Sequence, residues 1–199
     1  MRKVLITVGV VCLLVVLAVP GYACDSCDKS KVANGWCSGC KVGYVSGVKI
    51  QSKKLYDAVS GKDVDPAKIN CPGCKKAAEK SGECGHCRVA FAGKKAYKSK
   101  IAHCLAQGKA KDPAKIKCAG CKKAASDHGW CGGCGVGYVG PVAYKDKKAF
   151  AEALKAREIL QAAAKTKCEG CAVAMVTDGK CAHCKASFKG GKKIAKKRP

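Results

Sequence analysis

Sixteen of the eighteen cysteines in this 199-residue chain fall into eight Cys-x-x-Cys pairs, and the pairs come in four twos. The quartets are Cys24, Cys27, Cys37 and Cys40; Cys71, Cys74, Cys84 and Cys87; Cys118, Cys121, Cys131 and Cys134; and Cys168, Cys171, Cys181 and Cys184. Nine residues separate the inner cysteines every time, and the quartets begin 47, 47 and 50 residues apart. A spacing kept four times over specifies a geometry. Four thiolates delivered as two narrow pairs are what a tetrahedral zinc ion needs. The expected arrangement is four tandem modules, each with a four-cysteine metal site, and about four zinc ions per chain.

The pairs Cys71-Pro-Gly-Cys74 and Cys131-Gly-Gly-Cys134-Gly, with their sisters, resemble those of zinc-ribbon and zinc-knuckle domains. The resemblance implies a tight turn that aims two sulfurs at the metal, with small residues freeing backbone N–H groups for the sulfurs. It implies a metal and a fold type, and no task. A second resemblance, to the cysteine-rich domain of J-domain co-chaperones, rests on Cys134-Gly-Val-Gly. Both glycines stand one place earlier than in that family's Cys-x-x-Cys-x-Gly-x-Gly. Its nested metal pairing is also disfavoured here, because nine-residue gaps close at lower entropic cost than gaps of about thirty.

A disulfide framework is the competing reading, and the N-terminus keeps it open. Arg2 and Lys3 precede an apolar run from Val4 to Val19, followed by Pro20, Gly21, Tyr22 and Ala23. That pattern reads as a signal peptide over 1–23, cut after Ala23, which would remove Cys12 and place the mature chain outside the cytoplasm. The sixteen-residue run is short for a membrane span, and no second span follows. A lipoprotein reading, with Cys24 acylated, would take a ligand from the first quartet. Export favours disulfides. Against them, a bridge within one Cys-x-x-Cys is strained and staples almost nothing, and bridges between pairs do not require this spacing.

The chain carries 39 Lys plus Arg against 14 Asp plus Glu. Without Arg2 and Lys3 the balance is 37 to 14, a net +23 that four zinc–tetrathiolate centres would bring to +15. Lys41, Lys75, Lys76, Arg88, Lys122, Lys123 and Lys185 stand beside the cysteines, where they either favour the thiolate form or make an ordinary solvated face. Only Arg2, Arg88, Arg157 and Arg198 are arginine, so the surface is diffusely cationic rather than built for bidentate phosphate recognition. Partners of that chemistry are anionic polymers or membrane surfaces, bound without sequence preference.

Each module has a patterned second half. Four residues past each quartet stands an aromatic (Tyr44, Phe91, Tyr138, Phe188), expected as the plug of a mini-core beneath the metal. It lies in a strand followed by a glycine-containing turn and a second strand, a β-hairpin signature. Ser52, Ser99 and Asp146 then read as helix N-caps, with Gly61 and Gly108 as C-terminal stops. Asp65-Pro66 and Asp112-Pro113 read as cap and first residue of a further helical turn. Lys155 replaces the stop in the third module, whose helix should run on through Phe150, Leu154, Ile159 and Leu160 to about Ala164.

The expected fold class is therefore small metal-stapled α+β repeats: four tandem zinc-ribbon-like modules, knuckle pair plus β-hairpin, joined by short helices. The boundaries are 1–23 for the signal peptide, then 24–70, 71–117 and 118–167 for modules one to three with their helices. Module four follows at 168–189, and 190–199 is expected as a basic disordered tail. Repeats of this length lead one to expect a string of small domains whose neighbours touch locally. Each has little aliphatic bulk, so the metal would supply much of the folding free energy.

The sequence offers little to an enzyme. Two of the histidines, His86 and His183, lie inside Cys-x-x-Cys pairs, and His103 and His128 are isolated. All four quartets read as closed, whereas a catalytic metal site keeps a position open. A thiol–disulfide oxidoreductase would need a reactive pair at a helix start within a βαβ pattern, and no such pattern appears. His103-Cys104 is the one oddity, and Cys104 is expected as a buried structural cysteine. The expected function is an exported, non-enzymatic, zinc-binding repeat protein with no small-molecule substrate. Periplasmic metal sequestration or buffering is the alternative, and a disulfide-stapled secreted protein or thiol–disulfide oxidoreductase the next.

Overall fold

The computed structural model describes residues 24–195. The expected signal peptide, with Cys12, lies outside them, as do residues 196–199. Among the described residues, no helix is long and apolar enough to cross a membrane.

Module one starts with helix α1 (Asp25–Ala33), then strands β1 (Trp36–Cys37), β2 (Val42–Val45) and β3 (Val48–Ile50), and helix α2 (Lys53–Val59). Strand β4 (Lys62–Asp63) and a 3-10 turn (Pro66–Lys68) lead to module two. The same order returns there as α3 (Pro72–Glu79), β5 (Glu83–Cys84), β6 (Val89–Ala92), β7 (Lys95–Tyr97) and α4 (Lys100–Ala106). Strand β8 (Lys109–Ala110) and the 3-10 turn Pro113–Lys115 follow. Module three has α5 (Ala119–Asp127), β9 (Trp130–Cys131), β10 (Val136–Val139), β11 (Val142–Tyr144) and α6 (Lys147–Ala164). Module four has α7 (Glu169–Thr177), β12 (Ser187–Lys189) and β13 (Lys192–Ile194).

The hairpins and caps form where the sequence places them. Val45 pairs with Val48 and Val139 with Val142 across two-residue turns. Ser46 and Gly47 both have positive φ (49° and 77°), the I′ pattern, whereas at Gly140-Pro141 only the glycine does (59°), the II′ pattern. The Ser52 and Ser99 hydroxyls accept from the N–H of Leu55 and Ala102, and Asp146 Oδ1 accepts from Ala149 N at 2.7 Å. Asp65 and Asp112 cap their 3-10 turns in the same way. Helix α6 ends at Ala164.

Several local expectations are corrected. Gly61 has φ +73° and stops α2, but Gly108 has no positive φ; a Cβ there would sit 2.3 Å from Val142 Cγ1, so close packing selects its glycine. The segment after 190 is not all tail: Gly190-Gly191 turns the chain into β13, which pairs with β12. Strands β4 and β8 have no counterpart in the expected knuckle-plus-hairpin pattern. Each adds a fourth strand to the next module's sheet, giving the orders β4-β7-β6-β5 and β8-β11-β10-β9. They are two residues long and exposed, so no alternation marks them.

The largest difference is in the core. The largest cluster of buried side chains is not confined to one module. It joins Ile50, Leu55 and Val59 of module one to Tyr97, Ile101 and Leu105 of module two. Val139, Val142, Tyr144 and Leu160 of module three and Ala172 and Val176 of module four belong to the same cluster. The connecting helices pack on one another and on α7 instead of spacing the modules apart. Polar contacts lock the same joints: Ser99 Oγ donates to the Val176 carbonyl, and Ser52 Oγ donates to Glu169 Oε1 at 2.5 Å. Two-turn helices cannot bury their apolar stripes alone, which is why these stripes meet in the middle.

Candidate metal centres

Within each quartet the four sulfurs all lie within 4.8 Å of one another, and every quartet is assembled from its own module. The two pairs are presented differently. The second pair of each quartet is the expected knuckle. Cys37 ends β1, and the turn closes with Lys41 at φ 52°; Arg88, Gly135 and Lys185 take the same left-handed conformation. Arg88 N donates to the Cys84 carbonyl at 2.8 Å and Lys185 N to that of Cys181 at 2.9 Å, tightening the loop. Cys184 N also donates to Cys181 Sγ at 3.3 Å.

The first pair is not a knuckle but the start of a helix. Cys24, Cys71, Cys118 and Cys168 are the N-caps of α1, α3, α5 and α7, and their partners lie on the first turn. The nine-residue gap is thus a helix and its exit. The exit is one device used four times. Asn34, Ser81, His128 and Asp178 sit in the left-handed region with φ of 50–54°. The next residue, a glycine each time, donates its N–H back to the helix carbonyl five residues earlier. The cap side chains then hold the hairpin turn: Asn34 Oδ1 accepts from Ser46 N (2.7 Å), Ser81 Oγ from Gly93 N (3.4 Å), His128 Nδ1 from Gly140 N (3.0 Å) and Asp178 Oδ1 from Gly190 N (2.7 Å). Pro72 at N1 and the recurrent polar residue–glycine step (Asn34, Ser81, His128 and Asp178, each before a glycine) were the available sequence signals for these helices.

The donor set fits a tetrahedral cation. Metal–sulfur bonds of about 2.3 Å in a tetrahedron set the sulfurs about 3.8 Å apart. Cys24 Sγ lies 3.6, 3.5 and 3.4 Å from the sulfurs of Cys27, Cys37 and Cys40, and Cys168 Sγ lies 3.8 and 3.6 Å from those of Cys181 and Cys184. Among the described residues, no two sulfurs are at the ~2.05 Å of a disulfide. The helix glycines make room for them. A Cβ at Gly73, Gly120 or Gly170 would lie 3.0, 3.0 and 2.9 Å from Cys84, Cys131 and Cys181 Sγ.

One thiol per quartet is held near the thiolate form. Cys24 is lowered to about 7, first by the thiols of Cys40 and Cys37. Cys71 and Cys118 are lowered to about 7, first by the backbone of Cys74 and Cys121, and Cys181 likewise by that of Cys184. Hydrogen bonds to the neighbouring cysteine sulfurs, first to Cys24 and to Cys121 respectively, push Cys40 and Cys134 the other way, to about 12. Four such groups crowded together repel as thiolates, and a divalent cation relieves that repulsion. The flanking Lys41, Lys75, Lys76, Arg88, Lys122, Lys123 and Lys185 are exposed, in keeping with a solvated basic face.

The aromatic plugs are where the sequence puts them. Tyr44, Phe91, Tyr138 and Phe188 are buried, each packed with the cysteines of its own quartet. Cys104 is buried in the shared core, where desolvation raises its thiol, and His103 Nε2 is 3.1 Å from the Phe91 carbonyl. No protein-family model matches the chain, and neither a curated protein nor a solved structure shows significant similarity to it.

Proposed function

We propose that the chain is an exported, non-enzymatic repeat protein whose quartets each hold one structural zinc ion, and whose lysine-rich surface engages anionic partners. The observation that carries this reading is the assembly of four sulfurs within 4.8 Å of one another inside each of four modules. Cys24, Cys27, Cys37 and Cys40 would hold the first ion and the corresponding quartets the others. Bound there, zinc supplies a charge-neutralising crosslink; the chain supplies helix starts, knuckles and glycine clearance that aim the sulfurs. Non-enzymatic use is supported by complete quartets with no histidine or carboxylate ligand in place of a cysteine.

Export rests on Arg2, Lys3, the Val4–Val19 run and Ala23. The anionic partner rests on the net +15 left on the mature, zinc-loaded chain and on the described residues forming only four ion pairs, which leave most lysines free for one. Retention on heparin should fall steeply with salt. The alternative, metal sequestration, draws support from the last cysteine of each quartet, Cys40, Cys87, Cys134 and Cys184, being exposed and open to a competing thiol.

Native mass spectrometry of protein isolated from its exported compartment, without chelator, tests the main reading. It should give four zinc ions per chain and an N-terminus at Cys24. A metal-free, fully disulfide-bonded protein would overturn it. Zinc that exchanges within seconds with a small thiol competitor would favour sequestration.

A further inference from the structure

Modules one and three meet at their hairpin tips. A Cβ on Gly47 would lie 3.4 Å from Gly140 Cα, and one on Gly140 would lie 2.4 Å from the Ser46 carbonyl oxygen. This contact has a consequence for the hollow that modules one to three carry between the first helix and the hairpin. In module two the hollow stands alone, about 250 Å³, lined by Pro66, Ile69, Lys75 and Ala78 among others. In module three the residues 47 positions on, Pro113, Ile116, Lys122 and Ala125, line the equivalent space. There it is continuous with the module-one hollow beside Lys31, Val32 and Tyr44, and the joint cleft is about 610 Å³. That is within the ~300–1,000 Å³ of sites for small organic ligands.

The walls are mostly apolar: Val32, Tyr44, Ile116 and Ala125 are buried or half-buried around the cleft. The charges at its mouth do not cancel. Asp28 and Lys31 pair with each other at 2.9 Å, and the Lys31 ammonium also lies over the Tyr44 ring, 5.8 Å from its centroid. Lys122 is exposed and, among the described residues, has no carboxylate within the 4.0 Å of an ion pair. An apolar trough with one uncompensated ammonium at its edge matches a molecule with an apolar chain and one negative head.

We infer that the cleft shared by modules one and three is a binding site for a single-chain anionic amphiphile of the long-chain carboxylate class, with its chain on Val32, Tyr44, Ile116 and Ala125 and its head on Lys122. The site exists only because the two hairpin tips touch. It is independent of the partner for the lysine-rich surface, since it takes a small ligand in a trough.

The test is titration calorimetry on the metal-loaded protein with decanoate, decyl maltoside and decyltrimethylammonium, each below its micelle-forming concentration. Decanoate should bind saturably, one per chain, and the neutral and cationic probes far more weakly. Lys122→Glu should weaken decanoate about tenfold, as loss of one charge-assisted contact does. Lys75→Glu, the matching exposed lysine beside the small module-two hollow, should leave binding unchanged. Ala125→Phe should block the trough, with metal content and melting temperature verifying its fold. No saturable decanoate binding, equal binding of the three probes, or equal effects of Lys122→Glu and Lys75→Glu would each overturn the assignment. The last pair decides the matter even if Ala125→Phe fails to fold, since both lysines are exposed.

Discussion

Gly140 sits against Ser46 so closely that a Cβ on the glycine would lie 2.4 Å from the serine's carbonyl oxygen. The same serine carbonyl accepts from Arg157 Nε at 3.2 Å, so one hairpin turn of module one is held by two elements of module three. Gly93, the equivalent turn glycine of module two, has the same φ of 59° and open space around it. The two positions separate backbone strain from packing. Ala at either should cost about 1 kcal/mol for the left-handed conformation. Gly140→Ala should cost roughly 1–3 kcal/mol more, because the Ser46 backbone must move. Thermal unfolding of the two metal-loaded variants measures the difference; equal losses would mean that the contact between modules is loose.

Cys74→Ser should reduce the metal count from four to three, because no other quartet contributes a sulfur to module two. Hydrogen exchange should accelerate through α3 and the β5–β7 sheet, where Cys74, Cys84 and Phe91 share a small core of their own. Protection in α4 should fall less, since Ile101 and Leu105 are anchored in the shared core instead. Loss of two metals would show that neighbouring sites depend on each other.

What could be read from the chain was local. Caps such as Ser52 and Asp146, the hairpin turns and the quartets each act over a dozen residues or so, and their residue types carry the geometry directly. The helices between the cysteine pairs were harder to see. A segment such as Asp28-Lys-Ser-Lys-Val has no apolar stripe, because its buried face is mostly sulfur and its neighbouring aromatic. The shared core was illegible for a different reason. Each of the two short connecting helices buries only a pair of large apolar residues, Leu55 with Val59 or Ile101 with Leu105, too few to reveal a partner. Those partners, Val139, Leu160 and Val176 among them, lie far along the chain, and nothing local encodes that meeting.

His128 gives the fold a pH dependence that its non-titrating counterparts Asn34 and Ser81 lack. Its Nδ1 accepts from Gly140 N, so the folded state needs the neutral ring. Burial first, and the Arg157 charge second, hold its pKa below the ordinary histidine value. With the folded pKa below the unfolded one, the unfolded chain binds more protons as pH falls through about 6.5. The contribution is therefore fully present above that pH and is lost below it. Asn34 makes the same bond in module one without titrating. His128→Asn should keep the contact and flatten the fall in melting temperature between about pH 7 and pH 5, relative to the parent protein. Parallel curves for the two proteins would refute a role for His128, since acid loss of metal affects both alike.

Gly120 tests whether the helix start is shaped around the sulfurs. Glycine in a first helical turn costs up to about 1 kcal/mol relative to alanine, so Gly120→Ala should favour the helix on propensity alone. Yet its Cβ would lie 3.0 Å from Cys131 Sγ, tighter than an ordinary contact. Module one shows how far the sulfurs can yield. Ser26 holds the same place in Cys24-Asp-Ser-Cys27, and that quartet still closes with Cys24 Sγ at 3.4–3.6 Å from the other three. The expected effect is thus a shift of tenths of an ångström rather than loss of the site. Disturbing the surroundings of metal ligands weakens binding by about tenfold or more, so the yielding seen at Ser26 puts Gly120→Ala near the lower end. Gly132→Ala is the control, because it lies in the same quartet with nothing within 4 Å of its Cβ. Competition against a chelator should show weaker binding for one of the four ions in Gly120→Ala and no change in Gly132→Ala. If both variants keep the parent affinity, sulfur clearance does not select the glycine at that position.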